Sequence, residues 1–270
     1  MSAFLRRSPA PPLSEFVDFL WLNFSAPAAH AFDHMLPNGD MGIIVNLRED
    51  HCSVRRGAVL ESYPGAIIAG SSSRPFVIGT AQQCQTVGVK FRLGRAAAFL
   101  GIPAGELHNS HLPLADLWKS FALELRERLL SAGGPRETLC VLEQLLSRQL
   151  SRIRSWHPGI NFAVDRIAAA PSRVSISSLA DQTGLTSRRF AQLFQAQTGV
   201  TPKVFHRLQR FHLALEMIHG NNQVDWSDLA LQCGYYDQSH FDHNFKEFSG
   251  FTPSDYLAAQ GEFLHHVPLV

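Results

Sequence analysis

Two stretches of the sequence carry polar and basic side chains at helical spacing beside an apolar stripe. Phe190, Leu193 and Phe194 mark the inward face of the first. The inward face of the second carries Phe241, Phe245 and Phe248. The opposite faces carry Arg188, Ala191, Gln192 and Gln195 in the first stretch, and Ser239, Asp242, His243 and Lys246 in the second. Most of these groups can hydrogen-bond the edges of nucleic-acid bases. The alternative is an ordinary solvated helix face.

The two stretches are copies of one unit. A small alanine lets two helices cross closely, and a glycine four residues later can end the first helix in the left-handed conformation. Each copy is therefore predicted to be helix, turn, helix, with Ser187 as an N-cap. The matched positions are Ala180 and Gly184 with Ala230 and Gly234, at an offset of 50, and Phe194, Gly199, Thr201, Pro202 and Phe205 with Phe245, Gly250, Thr252, Pro253 and Tyr256, at an offset of 51.

One helix, predicted over residues 202–218, joins the two units. Its length is about 25 Å at ~1.5 Å per residue. A rigid connection of this kind could place the second helix of each unit in successive major grooves, which are about 34 Å apart on one face of a duplex. The duplication favours DNA binding more strongly than a single helix-turn-helix pattern does.

Residues from about 158 to 258 resemble the DNA-binding domain of AraC/XylS-type bacterial transcription regulators, through the motif LALQCGYYDQSHFDHNFKEFSGFTPSDY. The resemblance implies base contacts by Arg188, Ala191, Gln192, Gln238, Ser239, Asp242 and His243, with Arg189 and Gln195 as adjacent candidates. Ala191 offers only a methyl contact, and Asp242 with His243 stands where small polar and basic residues are commoner in the family. RNA polymerase is an expected partner if the protein activates transcription.

Charge is unevenly distributed over this half of the chain. Residues 156–270 contain eight Lys or Arg and ten Asp or Glu, although a DNA-binding domain is expected to be basic. All five charged groups between residues 182 and 215 are cationic, and they are Arg188, Arg189, Lys203, Arg207 and Arg210. Residues 216–262 hold eight acids and only Lys246. We therefore expect the first unit, with Lys203 and Arg207, to supply most of the attraction for phosphates.

Size and composition indicate a globular protein of two domains. The chain has 270 residues, a net charge of +1, 45% hydrophobic and 17% charged residues. The cysteines form no close pair, which argues against a disulfide framework or a cysteine zinc site. They are Cys52, Cys84, Cys140 and Cys233. Neither a signal peptide nor an apolar run of ~18 residues is recognised, so a cytoplasmic location away from the membrane is expected.

The first hundred residues alternate short apolar segments with Gly, Pro and Ser, a pattern typical of a β-barrel or sandwich. The turn at Asn38 and Gly39 precedes the predicted strand MGIIVNL. Further predicted strands are FLWLNFS, HCSVRR, GAVLESY, GAIIAG, RPFVIGT and TVGVKFRLG. We expect a cupin-like barrel. Residues 8–155 are also similar to the N-terminal region of one AraC-type subgroup, through LPNGD, VGVKFRLGRAAAFLGIP and LPLADLW, without indicating a ligand.

Two groups of residues in this region could bind a ligand. Lys90 and Arg92 alternate with apolar residues along one strand and could hold an anionic effector if their face lines a barrel interior. A solvated outer face is the alternative. A metal site would require several side chains to lie close together around one ion. The candidates are His30, His34, His51 and Cys52, but their spacing fits no tight ligand motif. No cofactor is predicted, and no Ser/His/Asp, paired-carboxylate or Gly-rich phosphate pattern indicates an enzyme.

A helical hairpin is predicted over residues 114–153. One apolar stripe runs along a single helix from Leu114 to Leu129, and a second helix follows Gly133, Gly134 and Pro135. The stripes could cover the barrel, or they could form a homodimer as corresponding helices do in many AraC-type regulators. The segment SRIRSWHPG, with Trp156 and Pro158, is predicted to be a short linker.

The predicted fold is α+β. Residues 1–155 are expected to form a sensing or dimerisation domain, β-rich over 8–100. Residues 156–270 are expected to be an all-α domain with helix-turn-helix units at 176–199 and 226–250. The predicted function is sequence-specific DNA binding in transcription regulation. A small-molecule effector bound to the N-terminal domain is one way in which this function could be controlled. The alternatives are control by a partner protein that grips the hairpin, and a barrel enzyme with an accessory DNA-binding domain.

Overall fold

A computed structural model describes residues 3–153, 157–221 and 223–269 of the chain. Residues 154–156, within the predicted linker, lie outside this description. Strands are the main regular structure up to residue 113, and one further strand lies near the C-terminus. The strands are β1 (Ala3–Arg7), β2 (Val17–Phe24), β3 (Phe32–Met35), β4 (Gly42–Asn46), β5 (His51–Arg56), β6 (Val59–Pro64), β7 (Ala66–Ala69), β8 (Phe76–Gly79), β9 (Gln85–Phe91), β10 (His111–Pro113) and β11 (His266–Leu269).

Most residues after position 113 are helical, which confirms the α+β class. Within the described ranges, no helix is long and apolar enough to cross a membrane. The helices are α1 (Ala96–Leu100), α2 (Leu114–Trp118), α3 (Ser120–Leu130), α4 (Pro135–Ser147), α5 (Pro158–Ala169), α6 (Ile176–Gln182), α7 (Ser187–Thr198), α8 (Pro202–Ile218), α9 (Trp226–Gln232), α10 (Gln238–Ser249) and α11 (Pro253–Ala259). Short 3₁₀ turns lie at Leu13–Glu15, Ala81–Gln83, Ala104–Leu107 and Arg148–Arg152.

The strands form two open antiparallel sheets, so the predicted closed barrel is wrong. One sheet has the order β1-β2-β9-β4-β7-β10, and the other has the order β11-β3-β8-β5-β6. In the described parts of the chain no backbone ladder joins the sheets. Strand β6 lies beside β10, and side chains link the sheets there. Arg56, the last residue of β5, donates to His111 Nδ1 of β10 at 2.6 Å. Strand β10 is short and ends at Pro113, which has no N–H to extend a ladder.

The predicted hairpin covers the six-stranded sheet. Its first helix is broken at Lys119, where φ is +47°, so the expectation of one continuous helix is wrong. The break lets Trp118 and Phe121 both reach the core, with their rings 5.6 Å apart. Helix α4 packs on β2, and Leu125 and Leu142 are fully buried. Much of the apolar surface of the hairpin is thus buried within the chain's own core.

The C-terminal region contributes a strand to the N-terminal sheet, so the prediction that this region is all helical is wrong. Strand β11 pairs with β3, and Val267 lies opposite His34. Val267 and Leu36 are buried in the same apolar cluster as Phe211 and Phe245 of the second helix-turn-helix unit. The two halves of the chain therefore share a core at this point.

Replacing Leu36 by Ala should destabilise the second unit although residue 36 belongs to the β-rich half. Leu36 is 2% exposed. We expect a loss of about 2–4 kcal/mol, because the substitution removes buried methyl groups and leaves a cavity. Urea unfolding measures the loss, and faster hydrogen exchange in α8 locates it. Leu231→Ala, at a position that is 61% exposed, is the matched control and should change stability little.

Asp33 is a buried charge on β3 that links this strand to β11 and to the 3₁₀ turn at Ala81–Gln83. Its Oδ1 accepts from His30 Nε2 at 2.7 Å, and its Oδ2 accepts from Gln83 Nε2 at 2.9 Å and from His266 Nδ1 at 3.1 Å. Burial alone would raise the pKa of Asp33. The hydrogen bonds from His266, Gln83 and His30 together outweigh burial and lower this pKa to about 2. The folded state therefore favours the ionised carboxylate.

Because the pKa of Asp33 is depressed on folding, its stabilising contribution is present above pH ~4 and is lost as the pH falls towards ~2. The wild type should unfold at higher urea than Asp33→Asn at pH 5. This difference should shrink steadily between pH ~4 and pH ~2. Urea midpoints measured across that range test the expectation, and a difference that does not depend on pH would contradict it.

Candidate nucleic-acid interface

The predicted recognition helix of the first unit is α7. It begins after Thr186, whose Oγ1 accepts the Arg189 N–H at 3.3 Å, so the N-cap is one residue before the predicted Ser187. Phe190 and Phe194 are buried against α5, α6 and α8, as the sequence predicts. The helix ends at Gly199, which has φ +89°.

The second recognition helix, α10, is built by the same rules. Asp237 is its N-cap, and Asp237 Oδ1 accepts the His240 N–H at 2.8 Å. Phe241 and Phe245 are fully buried, and Gly250 ends the helix with φ +81°. The matched glycines of the turns, Gly184 and Gly234, have φ +69° and +78°, which confirms their predicted left-handed conformation.

The polar side chains on the outward face of α7 are exposed to solvent. Among the described residues, no hydrogen bond or ion pair engages the side chains of the four polar candidates. These are Arg188, Arg189, Gln192 and Gln195, all of which are exposed, whereas Ala191 is half-buried. The side of α7 that could approach DNA is therefore not covered by the N-terminal half of the chain.

The candidate polar side chains of α10 make more contacts within the protein than those of α7. Ser239 and His243 are exposed, whereas Gln238 and Asp242 are half-buried. Gln238 Oε1 accepts from Ser227 Oγ of α9 at 3.1 Å. Burial raises the pKa of Asp242, and a hydrogen bond from Gln238 partly offsets this effect. Tyr236, just before the N-cap, is 87% exposed and belongs to the same surface. Its exposure could not be read from the sequence, because two adjacent tyrosines after a glycine do not indicate which ring faces solvent.

The two candidate basic residues of α8 differ in their environment. Lys203 is exposed, and no described residue pairs with it. Arg207 donates to Asn244 Oδ1 at 2.7 Å, forms an ion pair with Glu247, and lies 5.0 Å from the centre of the Phe248 ring. Arg207 therefore links α8 to α10 through these side-chain contacts. This role could not be predicted from the sequence.

The candidate effector residues lie outside any barrel interior. Lys90 Nζ is 2.8 Å from Asp40 Oδ2, and Arg92 Nε donates to the Ser14 carbonyl at 2.7 Å. Both residues line a cleft of about 830 Å³ between the six-stranded sheet and helices α5, α7 and α8. The cleft thus has walls from both halves of the chain.

The candidate metal ligands make separate contacts. His30 binds Asp33, His34 Nε2 donates to the Ser249 carbonyl at 2.8 Å, and His51 lies 3.6 Å from Glu49. The thiol of Cys52 is buried, which raises its pKa to about 11. The structure does not bring these four side chains together, and the described residues contain no group of three or more suitable ligands.

These helices and their caps define a tandem helix-turn-helix fold. Residues 179–259 match a family model described as a helix-turn-helix domain, and residues 5–113 match one described as a domain of unknown function, DUF6597. The C-terminal region thus matches a helix-turn-helix family model and is similar to regulators of the AraC type, which confirms the resemblance seen in the sequence.

Curated relatives match this chain over part of their length. The HTH-type transcriptional regulator AlkR of Acinetobacter baylyi is 29% identical over 43% of this chain and 39% of its own length. The arabinose operon regulatory protein of Escherichia coli K12 is 28% identical over 47% of this chain and 46% of its own. The chain thus spans less than half the length of these relatives. Among solved structures, ToxT from Vibrio cholerae is similar over 96% of this chain and 97% of its own, with 11% identity and a TM-score of 0.45.

Lys203 and Arg207 should respond differently to replacement by Ala. Lys203→Ala should leave the unfolding midpoint unchanged and, if Lys203 contacts a phosphate, reduce the salt dependence of DNA binding by about one unit of slope. Arg207→Ala should lower stability by about 1–3 kcal/mol, because Asn244 and Glu247 lose their partner. Thermal unfolding and binding titrations at several salt concentrations measure both effects. Equal stability of the two variants would contradict the assigned role of Arg207.

Proposed function

We propose that this protein is a sequence-specific DNA-binding transcription regulator that places α7 and α10 in successive major grooves. The supporting observation is the free polar face of α7, since four exposed side chains without protein partners remain available to bases and phosphates. The match of residues 179–259 to a helix-turn-helix family model and the names of the curated relatives support the same function. The proposed location is the cytoplasm, where promoter DNA is accessible to a bacterial regulator.

The two recognition helices have unequal roles in this proposal. Helix α7 lies in the cationic part of the domain and has two exposed arginines near its N-terminus. Helix α10 lies in the acidic part, and its Gln238 already bonds to Ser227. The first unit then provides most of the affinity, and the second adjusts which sequences are accepted.

Reversing the charge of Arg188 and Arg189 should therefore weaken DNA binding far more than Gln238→Ala. We expect a loss of roughly 100-fold or more for Arg188→Glu with Arg189→Glu, and at most about 10-fold for Gln238→Ala. The measurement is fluorescence anisotropy on a site selected from genomic fragments, at one fixed salt concentration. Equal losses would refute the unequal roles, and failure of the wild type to prefer any site would refute the function.

The N-terminal half is proposed to control this activity by sensing a small molecule or by forming a homodimer. On the outer side of the hairpin, Leu123 is 64% exposed and Leu130 is 46% exposed, which supports a contact with a second copy. Such a dimer would present two DNA-binding regions to adjacent half-sites. If the protein activates transcription, RNA polymerase is the further partner.

Two other models remain alternatives to this proposal. In the first, no small molecule binds, and a partner protein grips the hairpin. In the second, the β-rich region is an enzyme with an accessory DNA-binding region, which would require a nucleophile or an acid–base pair in a pocket. The cleft lined by Lys90 and Arg92 favours a small-molecule input over the first of these models.

A further inference from the structure

A cleft at the junction of the two halves has the dimensions of a ligand site. Its volume of about 830 Å³ falls within the range of roughly 300–1,000 Å³ typical of small-molecule pockets. Glu15 and Asp18, which flank the start of β2, line one side, and Asp165, Gln197 and His212 of α5, α7 and α8 line the other. Any molecule that fills the cleft would touch both halves of the chain.

Two of the three Lys or Arg side chains around the cleft are paired with carboxylates. Lys90 is paired with Asp40 at 2.8 Å, and Arg95 is paired with Asp165 at 3.0 Å. Arg92 is exposed and donates its Nε–H to the Ser14 carbonyl. Of the described Lys and Arg side chains of the cleft, Arg92 is thus the one whose charge no carboxylate neutralises.

Two of the four carboxylates around the cleft, Glu15 and Asp18, have no partner among the described side chains. In the described residues, neither the Glu15 nor the Asp18 carboxylate has a hydrogen bond or an ion pair with another side chain. Four carboxylates line the cleft against three Lys or Arg side chains. The unused charge is thus mainly negative and lies on the side formed by the N-terminal half.

Gln197 gives an independent indication on the opposite side. It is 1% exposed, and its amide nitrogen donates to the Gly94 carbonyl at 3.0 Å and to Asn161 Oδ1. Its Oε1 has no partner, although a buried carbonyl oxygen normally accepts a hydrogen bond. The Nδ1 of His212, one turn of α8 beyond Gln209, is also buried without a partner. Both sides of the cleft therefore hold hydrogen-bonding atoms that lack a partner.

We propose that this cleft binds a small organic cation with at least two ammonium groups, of the diamine or polyamine class. One ammonium group would bind Glu15 and Asp18, and the other would donate to Gln197 Oε1 across the cleft. An ammonium group offers three donors and no acceptor, which complements this set of groups. The charge of this ligand is opposite to that of the anionic effector predicted from Lys90 and Arg92. The anionic effector stays a prediction from the sequence.

Binding of the ligand does not depend on the proposed function. Only the effect of the ligand on DNA occupancy rests on that function. Binding would stabilise the arrangement in which the β-rich region contacts α5, α7 and α8, because the ligand touches both sides. It would change the affinity for DNA to the extent that the DNA-bound arrangement differs from this one.

Thermal unfolding of the full chain without DNA tests the ligand directly. The probes are spermidine, putrescine and succinate, each added at the same ionic strength. Spermidine should raise the midpoint by roughly 2–4 °C, putrescine should raise it less, and succinate should leave it unchanged. Because no DNA is present, the result is separate from that of the binding titrations.

Two double variants with equal charge changes show where the amine binds. Glu15→Gln with Asp18→Asn should abolish the shift caused by spermidine. The control, Asp116→Asn with Glu127→Gln, alters two exposed acids on α2 and α3 outside the cleft and should keep the shift. The proposal is overturned by no shift with either amine, by a shift that survives in the first variant, or by loss of the shift in both variants. Stabilisation by succinate instead would favour the anion site at Lys90 and Arg92.

Discussion

The arrangement of the C-terminal half depends on the burial of α8, which belongs to two apolar cores at once. Phe205 packs into the core of the first unit, Phe211 packs into that of the second, and Val204 contacts both. Eight residues of this helix are buried, so neither unit can rotate about it without exposing apolar surface. The relative position of α7 and α10 is therefore set by side-chain packing along a single rigid element.

The N-terminal half contacts both recognition helices at the same end. At Gly199, the end of α7, an added Cβ would lie 2.1 Å from Ser71 Oγ. At the end of α10, His34 donates to the Ser249 carbonyl, and its ring lies 5.1 Å from that of Phe251. These contacts leave the opposite ends, which carry Arg188 and Ser239, exposed. The β-rich region can thus hold both helices while their polar faces stay open.

Local patterns made the helix-turn-helix units predictable, whereas contacts between distant residues were not. The glycines, phenylalanines and Thr-Pro pairs determine caps and inward faces within one or two turns, so α7, α8 and α10 follow from the sequence. Strand β11 has four residues, one of them Pro268, and shows no clear alternation. Arg207 and Glu247 are 40 residues apart, and only the folded chain shows that they pair. The same limit explains the incorrect barrel, because strand spacing alone does not decide whether a sheet closes.

The pairing of β3 with β11 also affects how the chain reaches its native state. Asp33 and His266 are separated by 233 positions, so their contact closes a very long loop. Closing such a loop costs chain entropy before any hydrogen bond forms, and contacts of this range generally slow folding. The helical repeats, by contrast, rely on neighbours close in sequence and can assemble early. The junction between the halves is thus expected to consolidate last, after each has acquired most of its internal order.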